Sequence, residues 1–85
     1  MQAPMNDRDT IRRFIIANFL FGDGHALKDD TLFLESGVID STGLLEVILF
    51  IETTFGISVQ DHELLPDNLN SIDNLVRFIA AKKSA

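Results

Sequence analysis

The stretch GVIDSTGLLEVILFIE, residues 37–52, decides how the chain folds. Turn-forming residues end at Asp40, and from Ser41 begins an apolar run whose spacing predicts a helix to Phe55, with Gly56 as its stop. On a wheel of about 100° per residue, Leu44, Val47, Ile48, Ile51 and Phe55 share one stripe, which reads as the core side. Leu45, Leu49 and Glu52 fall on the side of Ser41, with Glu46 on their flank. The wheel leaves open whether Leu45 and Leu49 are buried. Phe50, opposite Ser41, is expected to pack inward. A hydroxyl at the top, aliphatic residues below and acids around them make up the composition of a docking face.

Ser41 itself has two readings. Asp or Ser before an apolar run is the commonest helix start, so Ser41 can be a cap. Asp40 can also cap alone, which leaves the Ser41 hydroxyl at the positive end of the helix dipole, where an attached phosphate is favoured. A capping box is absent, because Leu44 and Gly43 stand three residues after Ser41 and Asp40. Gly43 costs about 1 kcal/mol of helix propensity against Ala, so a crowded first turn or a close ligand explains it better than helix stability does.

The remainder of the chain predicts further helices. A first helix runs from about residue 7 to 21, with Ile11, Phe14, Ile15, Asn18 and Phe19 at helical spacing and Gly22 as the stop. Residues 22–40 form a long loop, pinned to the core by Leu32, Phe33 and Leu34. After residues 41–55, a short extended piece leads to a helical turn at about residues 61–65, stopped by Pro66. Ser71 is placed to cap a last helix, with Ile72, Leu75, Val76 and Ile79 on one stripe. The fold class is all-α: a four-helix bundle with a short third helix and a long loop between the first and second. Residues 1–85 read as one domain, with 1–6 disordered and 82–85 frayed.

Composition excludes several kinds of chemistry. The chain has no Cys, hence no disulfide, thiolate metal site or cysteine nucleophile, which fits a cytoplasmic protein. No apolar run reaches the roughly 18 residues that a membrane span needs. Net charge is −6, and between Asp29 and Val76 ten acids stand without a single Lys or Arg. That field repels nucleic acid and membrane surfaces and attracts basic protein surfaces. The nucleophile elbow G-x-S-x-G fails because Ile39 holds its first glycine position, and a calcium loop fails because His25 and Leu27 stand where ligands belong. His62, between two acids, reads as a solvated polar residue. No metal site and no catalytic residue is expected, and the chain is not an enzyme.

Gly37, Asp40, Ser41, Glu46, Glu52, Phe55 and Gly56, in that order and spacing, closely resemble the signature of acyl and peptidyl carrier proteins. The similarity extends over nearly the whole chain. It implies an acyl carrier protein with 4′-phosphopantetheine attached to Ser41 by a separate phosphopantetheinyl transferase and with Asp40, Thr42 and Gly43 around the attachment point; the chain is expected to be a monomer. The arm's thiol would carry an acyl thioester between a ligase that activates the cargo and a downstream transferase or synthase with a basic docking surface, in a specialised pathway. The family's docking surface falls here on Leu45, Glu46, Leu49, Glu52, Asp61 and Glu63. Thr42 stands where the family usually has a bulky apolar residue, and the local Gly-Val-Ile-Asp-Ser-Thr-Gly pattern is similar to D-alanyl carrier proteins. An aminoacyl cargo of peptidyl or D-alanyl type is therefore the alternative. From another class, the alternative is an unmodified helical interaction module with Ser41 as a cap.

Overall fold

The computed structural model describes residues 6–22 and 24–84. Their regular structure is helical, with no strand among them: α1 (Asp7–Phe19), α2 (Phe33–Ser36), α3 (Ser41–Phe55), a 3-10 turn (Asp61–Glu63), α4 (Pro66–Leu69) and α5 (Ile72–Ser84). Asn6 caps α1, its side-chain oxygen accepting the Asp9 N–H at 2.8 Å, although disorder was expected through that residue. Residues 1–5 and Ala85 lie outside the described residues. Fraying was expected from Lys82, yet Lys82 to Ser84 are helical, consistent with two lysines placed at the negative end of the dipole.

α1 stops two residues earlier than its sequence pattern suggests. The N–H groups of Leu20 and Gly22 both return to the Ile16 carbonyl, at 3.2 and 2.9 Å, and close the helix. Phe21, between them, takes a left-handed backbone with φ of 52° and stands 98% exposed. α3 has the expected bounds, ended by Gly56 in the left-handed region at φ 67°.

Three long helices meet on a core of aliphatic residues. Ile11 and Ile15 of α1, Val47 and Ile51 of α3, and Ile72, Leu75 and Ile79 of α5 are fully buried, and Phe78 of α5 joins them. α1 and α3 meet along an aromatic seam. Phe14 stacks on Phe50 with ring centroids 4.0 Å apart, Phe19 meets Phe14 edge-on, and Phe55 meets Phe50 edge-on. Phe50 is half-buried in this seam, so it packs inward as expected.

The long loop is held from both sides. Arg12 donates to the Leu27 carbonyl at 2.7 Å and pairs with Asp29; Arg8 bridges Asp29 and Asp73; and the Asp73 N–H donates to the Asp29 carbonyl at 2.9 Å. Phe33, in the middle of the apolar knot, is fully buried, but Leu32 and Leu34 on either side of it are exposed. The knot forms a single helical turn, α2, which loop composition did not reveal.

Pro66 has the opposite role from the one expected of it. It begins α4 as the first helical residue, where its missing N–H is no loss and its fixed φ suits the helix. The acids before it make only a 3-10 turn, and the expected short third helix is divided between that turn and α4.

Candidate functional site

Asp40 is the N-cap of α3. Its backbone is extended, its carboxylate accepts the Gly43 N–H at 2.7 Å, and its carbonyl accepts the Leu44 N–H at 2.9 Å. Ser41 is thus the first helical residue, and its side chain is not needed to cap the helix. Ser41 is exposed, as is Thr42 beside it.

Gly43 is buried below them. A Cβ there would come within 2.7 Å of the Phe19 ring, 3.0 Å of Ile39 Cγ2 and 3.2 Å of Asp40 Oδ1. The crowded first turn explains this glycine: it lets the end of α1 approach the start of α3.

Ser41 also lines a cleft of about 180 Å³ whose other lining residues are apolar. Leu44, Leu45 and Ile48 of α3, Leu64, Leu65, Pro66 and Leu69 of the segment leading into and through α4, and Leu34 of α2 line it. Leu34, Leu64 and Leu65 were missed as site residues. The only signal of them in the sequence is that each is a large apolar residue in a polar connecting segment, where a core role and a site role look alike.

The second face of α3 is open. Leu45 is 58% exposed and Leu49 64%, and Glu46 is exposed beside them, so the apolar centre and one acid of the expected docking face are on the surface. The remaining acids divide. Asp61 is exposed. Glu52 is half-buried, and its Oε2 accepts the Val59 N–H at 2.9 Å, fastening the segment after α3 to the helix. Glu63 accepts the Gln60 N–H at 2.9 Å and pairs with Lys82 at 2.8 Å, and these bonds, Lys82 first, hold its carboxyl below the usual range. Glu52 and Glu63 are thus bonded within the fold, whereas Leu45, Glu46, Leu49 and Asp61 are exposed. His62 is exposed on the 3-10 turn, and no cluster of metal-binding side chains exists among the described residues.

The ten acids of residues 29–76, a segment without Lys or Arg, are partly matched in space. Arg8 and Arg12 reach Asp29, Arg8 also reaches Asp73, and Lys82 reaches Glu63. Asp40, Glu46, Asp61 and Asp67 stay exposed, around the elements that flank the cleft. No helix among the described residues is long and apolar enough to cross a membrane.

No family model matches the chain. Among curated proteins, the D-alanyl carrier proteins of Streptococcus pyogenes serotype M5 (strain Manfredo) and serotype M1 are each 36% identical to it over 57 residues, covering 67% of this chain and 71% of theirs. The chain belongs to the carrier-protein family. Carrier proteins are not enzymes, and this chain acts as a carrier on which other proteins work.

Proposed function

We propose that Ser41 carries 4′-phosphopantetheine through a phosphodiester and that the chain presents an activated group to partner enzymes. The arm's thiol would hold that group as a thioester. The observation that carries this reading is the division of labour at the start of α3. Asp40 does the capping, so the Ser41 hydroxyl stands exposed at the first helical position. The residues fit the group: the side chain is accessible, the helix start favours a phosphodiester, and Gly43 keeps the turn beneath it compact. In this reading α1, α3, α4 and α5 are the four helices of a carrier bundle, and α2 is an extra turn within its long loop.

For the cargo, the relatives' name favours an aminoacyl group of the D-alanyl type, and that is the reading proposed first. A second reading, an acyl chain, is favoured by the leucine-lined cleft on which Ser41 opens. Partners are a phosphopantetheinyl transferase, an amino-acid- or acyl-activating ligase and a downstream transferase. Each would meet Leu45 and Leu49 with apolar residues, and Glu46 and Asp61 with basic ones. Intact-mass analysis of the protein isolated from its own cells tests the cargo: a thiol-releasable amino acid supports the first reading and a releasable fatty acyl group the second. A chain bearing no arm at all favours the unmodified interaction module.

A further inference from the structure

Asn70 is a polar side chain only 4% exposed, between α4 and α5. Its backbone and side chain together make four hydrogen bonds, and all but one of them go to α2. Its N–H donates to the Pro66 carbonyl at 2.9 Å and closes α4. Its carbonyl accepts the Phe33 N–H at 2.8 Å, its Oδ1 accepts the Leu34 N–H at 3.0 Å, and its Nδ2 donates to Glu35 Oε1 at 2.7 Å. The residue before α2, Leu32, offers no capping side chain, so Asn70 caps α2 from a distant part of the chain while ending α4. Both helices are single turns that would not hold alone.

These two turns carry two walls of the cleft beside Ser41: Leu34 stands on α2, and Pro66 and Leu69 on α4. The third wall, on α3, is not bonded to Asn70. We propose that Asn70 is a positioning residue for the cargo: it locks α2 and α4 into one unit and so sets how long an apolar group the cleft admits. The proposal rests on the second cargo reading above, an acyl chain held as a thioester on an arm at Ser41. Glu35 strengthens the lock from an exposed position, which gives access to it without disturbing the core.

The test uses the holo protein loaded with acetyl, hexanoyl or dodecanoyl thioester, and reads the rate at which hydroxylamine cleaves each. Loading at Ser41 is confirmed first by mass. Failure to load overturns the function reading, a result distinct from any change in cleavage rate. Each methylene withdrawn from water favours the sheltered state by about four-fold, so the native protein is expected to slow cleavage with chain length until the cleft is full. Asn70→Ala and the milder Glu35→Ala are expected to shift that limit or erase it, while acetyl cleavage stays native and circular dichroism keeps the signal of the three long helices. Glu35→Gln, which keeps an acceptor for Nδ2, is expected to restore it. A native protein with no length dependence, or a folded Glu35→Ala variant with the native length profile, overturns the proposal.

Discussion

Gly43 and Phe19 join α3 to α1 at the end of the molecule that bears Ser41: the Phe19 ring edge lies where a Cβ on residue 43 would have to go, 2.7 Å away. Gly43→Ala should gain up to about 1 kcal/mol of helix propensity and lose about 1–3 kcal/mol to overpacking. The expected net effect is destabilisation of roughly 1 kcal/mol, measurable by urea denaturation. A stabilised variant would mean that Phe19 moves aside freely and that the close approach has no importance for the site.

Asp40→Ala removes the cap of α3 and should cost about 1 kcal/mol, whereas Ser41→Ala, at an exposed position with no capping bond, should stay within about 0.5 kcal/mol of the native stability. Paired denaturation curves for the two variants check the assignment. Equal losses would return Ser41 to a capping role.

Glu46 and Glu52 should part company. Glu52→Ala leaves the Val59 N–H without its partner, at a cost of about 1–3 kcal/mol reduced by any water that reaches it. Glu46→Lys should leave stability within about 0.5 kcal/mol and slow transfer from a partner with a basic docking surface. Thermal melts alongside transfer kinetics separate the two acids. A stable Glu52→Ala variant with impaired transfer would restore Glu52 to the docking face.

Acid should loosen the long loop. The Arg12 hydrogen bond, followed by the charges of Arg12 and Arg8, holds the Asp29 carboxyl below its ordinary range, although burial works against this. A lowered folded-state pKa contributes stability that is fully present above the unfolded value and is lost as pH falls through the folded one. The contribution is therefore intact at neutral pH and declines below about pH 4. Asp29→Asn should flatten that acid limb without altering the pH dependence above it. An unchanged acid limb would show that the arginines do not act through Asp29.

The sequence reveals most where periodicity is strong. α3 has the bounds that residues 41–55 suggest, and the wheel separates its buried Val47, Ile48 and Ile51 from the exposed Leu45 and Leu49, although it could not say that the second group faced water. Legibility falls in the single-turn elements, which have too few residues to show a period. Pro66 can stop one helix or start another, and here it starts α4, closed by the Asn70 N–H on the Pro66 carbonyl. Charge counted along the chain also misleads. Arg8 and Lys82 stand far from Asp73 and Glu63 in sequence, and folding brings them together, so an unbroken acidic run becomes a smaller acidic surface around the cleft. Asn70 gave no signal at all, because a polar residue between two helical segments reads as an ordinary turn until its buried bonds to α2 are seen.

The central claim is that Ser41 is an attachment point and not a cap. Incubation of the purified chain with a broad-specificity phosphopantetheinyl transferase, coenzyme A and magnesium, followed by intact-mass spectrometry, tests it most directly. The native chain should gain the mass of one phosphopantetheine, and Ser41→Ala, folded to the same extent, should gain none. A native chain that stays at its unmodified mass, or a Ser41→Ala variant that still gains the group, would contradict it.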